Sequence, residues 1–336
     1  MKLVILGTGS WGTALAQVAA DNGHDVTLWG INAEEIGDIN MFHRNSKFFD
    51  TPISEALKAT DDISVVKDAD IILLAVPTNA MESVLQKALP YIEHPVIVIN
   101  VAKGFHPVSH KRLSEVVKET VPAELLKAVV SLIGPSHAEE VIVRQLTAIN
   151  AVSDNEEAAK TVQKLFSNRY FRVYTNDDVI GAETGVALKN VMAIASGILE
   201  GIGQGDNAKA ALMTRGLAEM TRFGMLMGGR QETFLGLDGV GDLIVTCTSR
   251  HSRNFMAGYE IGKAGGAADF MKNNTKTVEG IFACKVVHEE AIRRGIEMPI
   301  TDQVYEVLYE NKDPKEALAA LMSRDLKAEG KGDYRR

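Results

Sequence analysis

The chain has 336 residues, 46% apolar and 24% charged, which suffices for about two domains with full cores and excludes a disordered chain. Its 44 acids against 36 bases leave a net charge of −8, which argues against a general nucleic-acid binder or a cationic membrane-surface protein. Two cysteines, Cys247 and Cys284, cannot build a disulfide framework and lack metal-ligand spacing, so a reducing, cytoplasmic setting without a bound metal is expected. The apolar run at 3–6 is too short for the core of a signal peptide. No window of 18 uncharged apolar residues is present, so membrane insertion is not expected.

In chain order, β-branched runs at 2–6, 25–29, 70–76, 95–101, 128–133 and 147–152 read as strands buried on both faces. Helix-length segments at 10–22, 78–89, 109–119 and 155–167 lie between them. Such alternation predicts a parallel, doubly wound sheet with right-handed crossovers. No proline occurs between Pro135 and Pro299, and from about residue 179 the pattern is almost wholly helical. Residues 181–203 are apolar nearly all round, the mark of a buried helix, and a second long helix is expected over 206–227. The last dozen residues are charged and are expected to fray.

Directly after the first strand stands Gly7-Thr8-Gly9-Ser10-Trp11-Gly12, a G-x-G-x-x-G on a strand-to-helix turn. Gly7 permits the tight turn, Gly9 lets the backbone approach a pyrophosphate, and Gly12 lets helix and strand pack closely. The helix N-terminus supplies N–H groups and partial positive charge. The fold class is therefore α/β: an N-terminal Rossmann-type dinucleotide-binding domain, 1–179, then an all-helical substrate-binding and catalytic domain, 180–336. After the second strand an acid would favour NAD and a base NADP. Gly30-Ile31-Asn32 is neither, and Glu34 and Glu35 read as first-turn helix residues, so both cofactors stay open.

Lys189 falls inside the buried helix, with Gly185, Val186, Met192 and Ala193 as its helical neighbours. No wet edge is within reach, so it must find a partner, lower its pKa or face a polar cleft. Each of these suits an acid/base at a carbonyl/alcohol centre, although a structural ion pair fits the helix pattern equally well. Asn190 beside it can bind a hydroxyl or serve as a structural amide. Asp242 stands in an apolar run as a candidate partner for the lysine. Ser249–Asn254 gathers hydroxyl, guanidinium and amide groups suited either to a phosphate dianion or to a solvated turn. Lys103 and Gly134-Pro135-Ser136 occupy the carboxyl edge of the sheet, where ligands bind in open α/β folds.

The stretches GTGSWGTALA (7–16), AKGF (102–105), GPSHAEEV (134–141), ALKNVMAIASGILEGIG (187–203), GDNAKAALMTRGLAEM (205–220), GLDGVGDLIVTCTSRHSRN (236–254) and VEGI (278–281) complete the picture. With them the chain resembles the bacterial NAD(P)-dependent glycerol-3-phosphate dehydrogenases, from the first strand to about residue 325. The resemblance implies glycerol 3-phosphate and dihydroxyacetone phosphate as substrates, and a part in supplying phospholipid precursors. By position it makes Lys189 the proton-transferring group. It makes Lys103, Gly134, Ser136, Asn190, Asp242, Ser252, Arg253 and Asn254 substrate contacts. Ser10, Trp11, Lys103, Ala138, Arg253 and Glu279 become cofactor contacts. Many family members carry Arg after the second strand where this chain has Ile31 and Asn32, which weakens an inference of strict NADP preference. Two rival readings remain: a β-hydroxyacid dehydrogenase gripping a carboxylate, and an NAD(P)-sensing protein without turnover. The apolar helical half offers a surface for a dimer seam, and a homodimer is the expected assembly.

Overall fold

The computed structural model describes residues 1–275, 277–326 and 328–330. The charged tail expected to fray lies mostly outside these residues. The chain divides into two compact units, one formed by Met1–Ala102 with His106–Val179, the other by Lys103–Phe105 with Ile180 onward.

The first unit is built on an eight-stranded sheet. Its strands are β1 (Lys2–Leu6), β2 (Asp25–Trp29), β3 (Lys58–Thr60), β4 (Ile71–Leu74), β5 (Val96–Asn100), β6 (Leu126–Ile133), β7 (Thr147–Val152) and β8 (Phe171–Asn176), in the order β3-β2-β1-β4-β5-β6-β7-β8. Side chains alternate between the two faces of the pleat. Leu3 and Ile5 join the core on one face, whereas Val4 and Leu6 join the core on the other. The first face is covered by α1 (Ser10–Asp21), α5 (Ala138–Ile142) and α6 (Glu156–Phe166). The second is covered by α3 (Met81–Ala88) and α4 (Leu113–Thr120), while α2 (Ala33–Phe42) follows β2.

All strand pairs are parallel except β6 with β7, which run antiparallel, so the expected doubly wound parallel sheet is present with one antiparallel pair. Strand composition alone does not encode direction, and the connection from β6 carries only the five-residue α5. At the edge, the Asn40 amide donates to the Ala59 carbonyl and accepts from its N–H, both at 2.8 Å, so a side chain completes the short β3 as a neighbouring strand would.

The second unit, among the described residues, is helical. It holds α7 (Val179–Gly201), α8 (Asp206–Leu226), α9 (Gln231–Phe234), α10 (Asp242–Thr248), α11 (Arg253–Ala264), α12 (Ala268–Asn273), α13 (Glu279–Arg294), α14 (Pro299–Tyr309) and α15 (Pro314–Met322). Helix α7 is buried almost throughout and forms the centre of the core. Against it α11 packs backbone to backbone. A Cβ on Gly197 would stand 2.0 Å from the Phe255 carbonyl oxygen, and one on Gly258 would stand 2.0 Å from that of Ile194. Glycine at both positions is what lets the two helices meet this closely.

Candidate active site

The glycine loop follows β1 where the sheet order reverses, since β1 lies between β2 and β4. Ligands of open α/β sheets bind at such a point. Gly7 has φ of 131°, and a Cβ there would stand 2.4 Å from the Ala75 carbonyl oxygen, so only glycine makes this turn. A Cβ on Gly12 would meet the Gly7 carbonyl oxygen at 2.4 Å. Gly9, by contrast, faces open space within 4 Å, and no side chain caps the N-terminus of α1. The loop is thus tight on its protein side and open on its ligand side, with unshared N–H groups at the helix end. Those features fit a dinucleotide pyrophosphate.

In the second unit, α7 carries Lys189 at 4% exposure, and the short α10 turns Asp242 toward it. A π-helical turn over Leu237–Gly241 leads into α10. The Lys189 ammonium donates to Asp242 Oδ1 at 3.2 Å and to Thr246 Oγ1 at 2.7 Å. Thr246 in turn donates to the Asp242 carbonyl at 2.6 Å. Lys103 reaches the same carboxylate, with its Nζ 3.2 Å from Oδ1 and 3.0 Å from Oδ2. One buried carboxylate therefore serves two ammonium groups. Burial pulls the Lys189 pKa down to about 8; Asp242 opposes that shift and Lys103 adds to it.

A second set of bonds fixes the segments that carry these charges. Gly280 N–H donates to Asn254 Oδ1 at 2.8 Å, Asn254 Nδ2 to Asn190 Oδ1 at 3.0 Å, and Asn190 Nδ2 to the Lys103 carbonyl at 3.1 Å. The two amides tie α13, α11, α7 and the 103–105 segment together. Asn190 is thus at least a structural amide.

The family model for the NAD-dependent glycerol-3-phosphate dehydrogenase N-terminus matches residues 2–159, and that for its C-terminus matches residues 178–319. The chain belongs to this family. A curated glycerol-3-phosphate dehydrogenase [NAD(P)+] from Streptococcus uberis is 51% identical over 98% of this chain and 98% of its own. The one from Enterococcus faecalis is 49% identical, covering 98% and 97%. Among solved structures, glycerol-3-phosphate dehydrogenase from Coxiella burnetii superposes with a TM-score of 0.88 at 37% identity, covering 96% of this chain and 99% of the other.

Within this dehydrogenase the remaining residues singled out by sequence fall as follows. Ser10 and Trp11 open α1, and Ala138 opens α5. Gly134 has φ of 137°, and the Ser136 hydroxyl donates to its carbonyl at 3.1 Å. Ser252 caps α11 by accepting from the Phe255 N–H. Arg253, with 56% of its side chain exposed, pairs with Glu279 at 3.3 Å. Sequence reasoning missed Thr246. Its signal was available, because four residues after Asp242 on a helix puts it on the same face. Among the described residues no group of three His, Cys, Asp or Glu side chains could hold a metal ion, and no helix is long and apolar enough to cross a membrane.

Proposed function

We propose that Lys189 is the proton-transferring residue in an NAD(P)-dependent interconversion of glycerol 3-phosphate and dihydroxyacetone phosphate. The observation that carries this reading is a buried lysine with pKa near 8, paired with Asp242 and Thr246. Two of its three N–H groups have partners, which leaves one for a substrate oxygen. Bound NAD(P)H supplies the hydride that reduces C2 of the ketone. As the C2 oxygen gains charge, the Lys189 ammonium first stabilises it and then gives it a proton. In the reverse direction the neutral amine takes the hydroxyl proton. Asp242 holds Lys189 and Lys103 in place without transferring a proton itself. Arg253 presents two donors suited to the substrate phosphate, which fixes C2 without taking part in the chemistry. Ser252 and Asn254 are the further phosphate-side contacts we assign to substrate, and Gly134 and Ser136 are other substrate contacts. Ser10, Trp11, Ala138 and Glu279 are those we assign to cofactor.

The test is Lys189→Ala assayed with NADPH and dihydroxyacetone phosphate at the nicotinamide absorbance. Loss of positioned proton transfer lowers kcat by about 10²–10⁴-fold, and lost charge stabilisation adds to that. A variant with near-normal kcat returns Lys189 to a purely structural ion pair. Turnover of small 2-keto or 3-hydroxy acids in preference to the phosphorylated ketone would favour the carboxylate-gripping alternative.

We further propose a homodimer, supported by the exposed Leu235, Ile244 and Ile292 of the helical unit and testable by sedimentation. We also propose a cytoplasmic setting, supported by two buried, free cysteines, and a part in supplying phospholipid precursors, which follows from the proposed substrate pair alone.

A further inference from the structure

Neither residue after β2 offers a charge to the cofactor. Ile31 is 87% exposed, and the Asn32 side chain is occupied as the cap of α2, accepting from Glu34 N and Glu35 N at 2.9 and 3.2 Å. The charge at this corner comes from elsewhere. Glu35 turns inward, 7% exposed, and accepts the Thr8 hydroxyl at 2.5 Å on one oxygen and the Lys47 ammonium at 2.6 Å on the other. Thr8 belongs to the glycine loop and lies against Gly30, where a Cβ would stand 2.5 Å from its Oγ1. Lys47 is thus linked through Glu35 and Thr8 to Gly30, the residue after β2, where the adenosine ribose of a dinucleotide binds.

Its segment is held firmly. Asn45, fully buried, donates to the Thr8 carbonyl at 2.8 Å and to Thr13 Oγ1 at 2.9 Å. Lys47 itself keeps 57% of its side chain exposed, and its ammonium lies 5.3 Å from the Phe48 ring centre. The arrangement is a buried carboxylate whose charge is covered, beside a cation that still faces solvent.

We propose that Lys47 recognises the ribose 2′-phosphate of NADP, and that its pairing with Glu35 sets the cofactor preference of this chain. A bare carboxylate here would accept the ribose hydroxyls and repel a phosphate dianion. With both its oxygens engaged, Glu35 does neither, and Lys47 supplies a charge-assisted donor to the phosphate. This inference rests on the reading of the glycine loop as a dinucleotide site.

The experiment is titration of NADPH and of NADH into the purified protein, followed by nicotinamide fluorescence at low ionic strength and without substrate. Lys47→Ala raises the NADPH dissociation constant about 10–100-fold, the value of one bond to a charged group, and the NADH constant less than about 3-fold. Lys47→Arg restores NADPH binding. Glu35→Gln, which keeps an acceptor for Thr8, leaves NADPH binding intact or tightens it. Equal weakening of both cofactors by Lys47→Ala, or an unchanged NADPH constant, overturns the inference. Failure of the parent protein to bind either cofactor overturns instead the dinucleotide reading on which it rests.

Discussion

Replacing Gly258 by alanine tests whether close backbone packing aligns α7 and α11, the helices that carry Lys189 and Asn254. The new Cβ would stand 2.0 Å from the Ile194 carbonyl oxygen where ordinary contact begins near 3.4 Å, a deficit of about 1.4 Å. The obstacle is backbone, so no side chain can swing aside and α11 must withdraw from α7. Overpacking of this kind costs about 1–3 kcal/mol, and a rigid obstacle belongs at the upper end. Alanine returns about 1 kcal/mol through its helix propensity, leaving a net loss of about 2 kcal/mol. For a unit of this size that is about 4–8 °C in Tm. The same withdrawal pulls Asn254 from Asn190, now 3.0 Å apart, and shifts Arg253 relative to Lys189. Misplacement by about 1 Å lowers kcat/KM by about 10²-fold. Gly37→Ala serves as the control, since its Cβ meets only Met41 Cε at 3.5 Å. It is expected to stabilise the protein by about 0.5–1 kcal/mol. A Gly258→Ala protein that melts no lower than the parent and keeps its kcat/KM would refute the packing argument.

The pH profile follows from Lys189. Ketone reduction needs the ammonium, so its kcat/KM falls as pH rises through about 8, while alcohol oxidation rises through the same value. For stability the sign is set by the lowered pKa: between about 8 and the unfolded value the unfolded chain binds more protons, so this residue's contribution rises with pH there. Flat profiles in both directions across this range would contradict the assignment. Arg253→Ala raises KM for dihydroxyacetone phosphate, and free phosphite added with an unphosphorylated ketone restores turnover in the parent but not in the variant. Rescue of both alike would remove Arg253 from the phosphate grip.

What was legible in the chain was what local pattern encodes. Continuous apolar runs marked β1, β2, β4, β5, β6 and β7 because strands buried on both faces carry few polar residues. The same criterion passed over β8, whose Phe171 and Val173 alternate with exposed Arg172 and Tyr174, and β3, which is only three residues long. Edge position explains both omissions: a strand with a wet face or a single neighbour does not need a continuous apolar run. The glycine loop was legible for the opposite reason. Its backbone positions exclude side chains, and that restriction is written directly in residue type.

The site was legible where a residue contradicted its surroundings and obscure where it satisfied them. Lys189 stood out because a charge in an apolar helix demands a partner, and Asp242 stood out because a carboxylate in an apolar run demands one too. Each was the other's explanation, 3.2 Å apart. Glu35 gave no such signal, since an acid in the first turn of a helix already has a sufficient local reason to be there. Its burial depends on Thr8, 27 positions earlier, and on Lys47, 12 positions later, neither of which is reachable from helix periodicity. The same holds for the relay of amides from Gly280 through Asn254 and Asn190 to Lys103. Each link is an ordinary polar residue, and only the close approach of α7 and α11, set by glycines that carry no chemistry, turns them into a frame for two lysines around one carboxylate.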